Sequence, residues 1–376
     1  VKLYIIAGEA SGDLHGAKLI EALRKERREI EVRAWGGDLM AAAGSHIVKH
    51  YKELAFMGFI EVVLNLRTIL KNISFCKGDI SAYRPDAVIL IDYPGFNLRI
   101  AQFCKQMGIP VLYYISPQLW AWKENRIHAI KRDITRMFVI LPFEKDFYAK
   151  HGMAVDFVGH PLLDVVDAAQ ARLELPLTAD DRAIVALLPG SRKQEIETML
   201  PIMLETAKQF TGYRFVIAGA PGQDASFYES IPGVGAHEIV FNQTYALLQH
   251  ARAALVTSGT ATLEAALHRT PLAVCYKGSA ISYAIARRLV KIKYISLVNL
   301  ILDRRAIREI IQHELTAKVL TLELELLLHD EDYRQAQFTA FDGLRQVLGG
   351  PGAAERTATG MLKTLDQLQI DAKKGG

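Results

Sequence analysis

Short continuous apolar runs alternate with amphipathic stretches along most of the chain. "KLYIIAG" predicts a buried strand, and "LHGAKLIEALRKE" repeats its apolar positions at helical spacing. "EVRAWGG", "DAVILID", "PVLYYIS" and "RMFVILP" follow as further strands with helical segments between them. The alternation begins again after about residue 180 with "AIVALLPGS", "RFVIAGA", "HEIVFN", "AALVTSG" and "LAVCYKG". Unbroken apolar strands separated by helices predict parallel sheets covered on both faces, because a half-exposed strand would alternate. Between the two sets, "GHPLLDVVDAAQARLELPLTADD" reads as a polar, helical connector. From about residue 305 the pattern is helical, broken by the Gly/Pro stretch "LGGPGAAER" before a final helix. The expected architecture is α/β, with two doubly wound domains in tandem. Their strand C-terminal edges face across a cleft, which is where open α/β sheets bind ligands.

Length agrees with two domains, since 376 residues exceed one ordinary core. Half of the residues are hydrophobic, which excludes general disorder. A net charge of +4 is too mild to predict nucleic-acid binding. Cys76, Cys104 and Cys275 lie far apart, without metal spacing, so a reducing compartment is expected rather than a disulfide framework. The opening "VKLYIIAGEASGD" reads as strand and turn, not as a signal peptide, and no run has the length of a membrane span. A cytoplasmic protein is expected.

Several strand ends carry chemistry. "VILIDYPGFNLRI" delivers Asp92 to the tip of an apolar run, just before a Tyr-Pro-Gly turn. "LLPGSRKQEIE" is a strand, a Pro-Gly-Ser turn and a helix start. Unpaired N–H groups there attract anions, and Arg192 can add a bidentate phosphate contact. An ordinary helix capped by Ser191 fits the same residues. "VTSGTATLEAAL" repeats the arrangement, with Glu264 one turn into its helix. A carboxylate there can accept both ribose hydroxyls, or it can merely suit the helix dipole. Two such turns in one domain strengthen the case for a nucleotide diphosphate. In "GEASGDLHG" the glycines are spaced by four, which is not the dinucleotide fingerprint. That turn either shapes a substrate loop or is capped by Ser11 or Asp13.

Read as a helix, residues 53–75 leave only a narrow polar stripe of Glu61, Asn65, Thr68 and Asn72. Such a stripe implies burial on nearly every side or insertion into a lipid interface, and Lys49, Lys52, Arg67, Lys71 and Lys77 suit an anionic surface. "SPQLWAWKENRIHAIKR" mixes Trp120 and Trp122 with basic residues, and reads either as a phosphate site or as a solvated basic face. "DED" at 330–332 matches a metal-chelating pattern but lies in a charged helical region, so no metal site is expected. His160 is read as structural or as part of the domain junction.

"GEASGD", "LAFMGFIEV", "IDYPGFN", "SPQLWAWKENR", "LPFEKDFY", "VGHPLLD", "LLPGSR", "SGTATLE" and "RLVKIKYISLVNLI", in this order, resemble the lipid-A-disaccharide synthase family over roughly residues 4–315. The resemblance implies an inverting glycosyltransferase of the GT-B fold, with two Rossmann-like domains and a helical C-terminal segment. It implies an acceptor-binding, membrane-facing domain at 1–165 and a UDP-sugar domain at 166–345, with a helix at 346–376 packing back on the first. The implied reaction joins UDP-2,3-diacylglucosamine to 2,3-diacylglucosamine 1-phosphate, forming a β-1,6-linked disaccharide and releasing UDP. Asp92 is then the general base, with capping of the turn or of the helix starting near Gly95 as the structural alternative. Gly190, Ser191, Arg192, Ser258, Gly259, Thr260, Glu264 and Asn299 fall at the nucleotide, and Ser11, Asn97, Trp120 and Arg126 on the acceptor side. No cofactor and no metal are implied.

Both substrates carry acyl chains, so residues 54–75 are expected to dock on the cytoplasmic face of the inner membrane, and an apolar surface there is compatible with a homodimer. Val298 and Ala280 stand where many members have proline, which puts the local loop shape in question. Two other readings remain open. One is a different UDP-sugar enzyme of this fold, of the peptidoglycan N-acetylglucosaminyltransferase or UDP-N-acetylglucosamine 2-epimerase kind. The other is a membrane-associated UDP-sugar binder without catalysis, which would have no need of Asp92.

Overall fold

The computed structural model describes residues 1–53, 66–121, 124–168, 173–177, 180–278 and 293–375. Residues 54–65 of the apolar segment, together with Trp122 and Ala280, lie outside the described residues. The chain divides into two compact units. The first is Val1–Pro161 with Gly349–Gly376, and the second is Leu162–Leu348.

The first unit is built on seven parallel strands: β1 (Lys2–Ala7), β2 (Glu31–Gly36), β3 (His46–His50), β4 (Ala87–Ile91), β5 (Val111–Tyr114), β6 (Arg136–Val139) and β7 (Asp156–Phe157), in the spatial order 3-2-1-4-5-6-7. Strand alternation sends Leu3, Ile5 and Ala7 into one apolar layer and Tyr4 and Ile6 into the other. Both faces are therefore buried, which is why β1 reads as an unbroken apolar run. Trp35 is fully buried and donates its indole N–H to the Tyr4 hydroxyl at 2.8 Å. Tyr4 in turn donates to Asp79, which is also gripped by Arg33.

The helix Ala353–Gly375 returns to this unit. Ala358, Met361, Leu362 and Leu365 join the apolar layer that contains Leu19 and Leu23. A Cβ at Gly360 would lie 2.6 Å from the Phe138 ring, so a larger residue there would push the helix away. Arg27 adds a two-point contact to Asp366.

The second unit has six parallel strands: β8 (Ile184–Leu188), β9 (Arg214–Gly219), β10 (Glu238–Phe241), β11 (Ala251–Thr257), β12 (Leu272–Tyr276) and β13 (Arg308–Ile311), in the order 10-9-8-11-12-13. The ten strands read from the apolar runs are all present. The hydrophobic pattern misses β3, β7 and β13. Each of these lies at a sheet edge, is short, and carries polar residues that an edge tolerates. The last corrects the expectation that the chain is purely helical beyond about residue 305.

Part of the apolar segment, residues 66–75, falls in the helix Leu66–Tyr83. Ile73 is buried there with Cys76 and Ile80, whereas Leu70 and Phe75 are 54% and 51% exposed. Among the described residues, no helix is long and apolar enough to cross a membrane.

Candidate active site

Asp92 follows β4 directly, in the middle of the first sheet. β4 lies between β1 and β5, with Ile91 level with Ala7 on one side and Tyr114 on the other. The chain then turns sharply. Asp92 and Tyr93 both take left-handed φ values, 44° and 50°, which non-glycine residues adopt only when their surroundings hold them there. Those surroundings are visible. The Asp92 N–H donates to the Tyr114 carbonyl at 3.1 Å. The Asp92 carbonyl accepts from Tyr113 Oη at 2.5 Å and from Asn97 Nδ2 at 2.7 Å. Pro94 then opens the helix Pro94–Gln106 at a position where no backbone N–H is needed.

The carboxyl pKa of Asp92 is pushed up to about 6, first by burial and then by the charge of Glu9, against a hydrogen bond from the Tyr93 N–H. Gly8, just before Glu9, leaves room for Tyr93: a Cβ on Gly8 would lie 2.4 Å from the Tyr93 ring. The first helix starts earlier than the pattern suggests, at Ala10, so the "GEASGD" turn is mostly helical. Ser11 is exposed in its first turn. Asp13 does not cap this helix. Its buried carboxylate accepts the N–H groups of Gly37, Leu39 and Met40 and so caps the helix Asp38–Ala42.

The residues expected on the acceptor side fall into two groups. Asn97 is fully buried, and its amide N–H groups go to the carbonyls of Ile91 and Asp92. It therefore holds the backbone of Asp92 instead of presenting a donor to a ligand. Trp120 is half-buried on the segment after β5, and its indole N–H donates to Glu144. Arg126 is half-buried in a short turn of helix, Glu124–Arg126. Burial holds the Tyr113 phenol well above its ordinary range, the charge of Asp92 adds to this, and the charge of Arg126 opposes it. Both charges are thus close enough to act on one ring.

The second unit carries a cavity of about 270 Å³ at the C-terminal ends of β8, β9 and β11. Gly190, Ser191, Ser258, Gly259, Thr260 and Glu264 line it, as do Glu195, Thr244, Thr257 and residues 218–221. Burial raises the Glu264 carboxyl, and the Tyr245 hydroxyl donates to it at 3.3 Å. Thr257 Oγ1 is buried with no hydrogen-bond partner among the described residues. Gly190 has φ +113°, and a Cβ there would lie 2.8 Å from Glu195 Oε2. Glu195, which the sequence reading did not single out, accepts from the N–H groups of Ser191 and Arg192 at 3.3 and 3.4 Å. Its carboxylate thus occupies the donors expected to meet phosphate. Arg192 itself is 67% exposed, caps the helix Lys193–Ala207, and lies 3.7 Å from Glu195.

Asn299 is placed differently from expectation. It is fully buried, and its amide is spent inside the protein. Nδ2 donates to the Ile307 carbonyl and to Glu309, while Oδ1 accepts from the N–H groups of Ala306 and Ile307. Glu309 also receives the N–H groups of Ile295 and Ser296, and the Ile295 carbonyl accepts from Ser258 Oγ. Asn299 therefore reaches the cavity through a chain of contacts that ends at Ser258. Val298 beside it is fully buried.

Asp330 caps the helix Glu331–Val347 by accepting the Tyr333 N–H, so the "DED" stretch is a helix start. Among the described residues, no three His, Cys, Asp or Glu side chains converge as a metal site. His160 is buried, and burial with the charge of His15 lowers its pKa to about 3.

The family model for lipid-A-disaccharide synthetase matches residues 3–350. A lipid-A-disaccharide synthase from Syntrophus aciditrophicus is 42% identical over 367 residues, covering 94% of this chain and 95% of that one. One from Geobacter metallireducens is 38% identical over 375 residues, covering 97% of each. Among solved structures, UDP-GlcNAc 2-epimerase from Neisseria meningitidis bound to UDP-GlcNAc superposes with a TM-score of 0.63 at 13% identity, covering 98% of this chain and 100% of that one. CalG4, the calicheamicin glycosyltransferase, gives 0.60 at 17% identity, covering 97% and 98%. At such low identity these likenesses speak for the fold alone, which is GT-B. The match to the family model and to these relatives spans nearly the whole sequence, and the chain belongs to the lipid-A-disaccharide synthase family.

Proposed function

We propose that Asp92 is the general base of a lipid A disaccharide-forming glycosyltransferase. In this reaction the 6-hydroxyl oxygen of 2,3-diacylglucosamine 1-phosphate attacks the anomeric carbon of UDP-2,3-diacylglucosamine. As that bond forms, the bond from the anomeric carbon to the diphosphate oxygen breaks and UDP leaves with the electron pair. The hydroxyl proton passes to the Asp92 carboxylate, and attack opposite the leaving group inverts the anomeric centre. The observation that carries this reading is the carboxyl at the strand tip. Its backbone is pinned by Tyr113 and Asn97, and its pKa of about 6 lies near working pH, where a general base is most effective.

On this reading the second unit holds the nucleotide. Glu264 accepts the ribose hydroxyls, and the N–H groups around Ser258–Thr260 meet the diphosphate and stabilise its growing charge. Arg192 adds a guanidinium from the exposed rim of the other turn, Gly190–Ser191. The exposed Leu70 and Phe75 support docking of the 54–75 segment on the cytoplasmic face of the inner membrane, where both acylated substrates reside.

The test is turnover with both substrates in detergent micelles, beside an Asp92→Ala variant. Release of UDP with a tetraacyl disaccharide phosphate, lost in the variant while UDP still binds, is the expected result. Full turnover by the variant would remove Asp92 from the reaction.

A further inference from the structure

One buried carboxylate of the first unit has no part in the transfer step. Glu144 is 1% exposed, in the first turn of the helix Pro142–Lys150. Its two oxygens do different things. Oε2 accepts the N–H groups of Leu141 at 2.9 Å and Ile140 at 3.2 Å, which caps its own helix. Oε1 accepts the indole N–H of Trp120 at 3.3 Å. The neighbouring Phe143 ring meets the same indole edge-on, with centroids 4.9 Å apart at 88°. A helix cap needs only the first oxygen, and caps are ordinarily solvated. Burying a carboxylate is unfavourable unless each oxygen is partnered, and here the second partner is a side chain from a different segment.

That segment begins at the flank of Asp92. Strands β4 and β5 are paired with Ile91 level with Tyr114, and the Tyr114 carbonyl accepts the Asp92 N–H. Ile115 then turns the chain with φ 65°. Ser116 shares a 2.7 Å hydrogen bond with Tyr148, which lies in the same helix as Glu144. Leu119 and Ala121 are buried on either side of the half-buried Trp120. One helix thus grips the segment at two points, Ser116 through Tyr148 and Trp120 through Glu144.

We propose that Glu144 is a positioning residue for the acceptor: it fixes Trp120, and with it residues 116–121, as the wall against which the acceptor lies beside Asp92. This rests on the reading that Asp92 serves the acceptor hydroxyl. Glu144 touches no reacting atom and acts through the indole.

The experiment is a double-mutant cycle read in steady-state kinetics with both substrates in micelles. Glu144→Gln keeps an oxygen for the two backbone N–H groups but sets an amide N–H₂ against the indole N–H. Trp120→Phe keeps a ring and removes that N–H. Each single variant is expected to raise the acceptor KM roughly tenfold, with the KM for the UDP-sugar unchanged and Tm within a few degrees of the parent. The double variant is expected to be no worse than the poorer single one.

Additive effects, or equal rises in both KM values, would overturn the proposal and leave Glu144 a helix cap. Should Glu144→Gln fail to fold, Trp120→Phe decides alone, and an unchanged acceptor KM would count against it. Failure of the Asp92 reading shows elsewhere, as turnover retained in Asp92→Asn, while the coupling between Glu144 and Trp120 remains measurable.

Discussion

The Tyr113 hydroxyl donates a 2.5 Å hydrogen bond to the carbonyl oxygen of Asp92. It crosses from the middle of one strand to the tip of the next and helps to hold a left-handed residue that would otherwise relax. Tyr113→Phe removes the donor but leaves Asn97 Nδ2 on the same carbonyl. The fold should survive at a cost of about 1 kcal/mol. Turnover should fall further, by about tenfold, because a base displaced by a fraction of an ångström loses reach to its proton. Affinity for UDP should not change. A kcat equal to the parent's would mean that the turn holds itself.

The raised Asp92 carboxyl makes two predictions of opposite sign. As a base it must be ionised, so kcat/KM for the acceptor should fall as pH drops through about 6. Asp92→Asn should lose activity by about two to four orders of magnitude. Stability runs the other way. A carboxyl whose pKa rises from 3.8 to about 6 on folding binds its proton better in the folded state. Stability is therefore greatest below the unfolded value and is lost as pH rises through the folded one. Asp92→Asn should raise Tm at pH 8, and the gain should shrink towards pH 4. An equal Tm gain at both pH values would exclude ionisation of Asp92 as its source.

How much of this was legible before the structure depends on where each partner lies in sequence. Asp92 could be found because a carboxylate at the end of a five-residue apolar strand is conspicuous. The turns at Gly190 and Gly259 announced themselves by strand, small residues and helix start. Tyr113 could not be found, because in "VLYYIS" it reads as one more core residue, and its partner is 21 residues away. Glu195 was hidden for a different reason. A Glu near a helix start is so common that its position over the N–H groups of Ser191 and Arg192 emerges only from the turn geometry. The edge strands β3, β7 and β13 escaped because pairing with a neighbour, not hydrophobicity, makes them strands.

Asn299 separates a structural residue from a ligand. Replacing it with alanine would strand the buried N–H group of Ile307 and the partly buried one of Ala306, and release Glu309 from one of its donors. A loss of about 3 kcal/mol is expected, from unsatisfied groups that each cost about 1–3 kcal/mol. Thermal denaturation of Asn299→Ala should show it as a Tm lowered by several degrees. UDP affinity of the folded variant, measured well below that Tm, should change less than about threefold, since the effect must travel through Glu309 and Ile295 to Ser258. A large affinity loss at unchanged Tm would restore Asn299 to direct contact with the nucleotide.

Two carboxylates line the same cavity, and they should respond oppositely to neutralisation. Glu264 lines the cavity and, on the proposed reading, accepts the ribose hydroxyls, while burial already disfavours its charge. Glu264→Gln replaces one acceptor oxygen by a donor and should weaken UDP binding about tenfold, the range for a hydrogen bond to a charged group. Glu195 instead covers the N–H groups of Ser191 and Arg192 and holds Arg192 at 3.7 Å. On the proposed reading its negative charge repels the diphosphate and occupies donors that the diphosphate would use. Glu195→Gln should therefore bind UDP a few-fold more tightly, at the cost of about 1 kcal/mol in helix capping. Because the effect is electrostatic, it should diminish at high salt, whereas the Glu264 effect should not. Calorimetric titration of both variants with UDP and with uridine separates the causes. Uridine lacks the phosphates, so its affinity should fall in Glu264→Gln and stay level in Glu195→Gln. Weaker UDP binding in Glu195→Gln would mean that this carboxylate organises the turn for the nucleotide instead of competing with it.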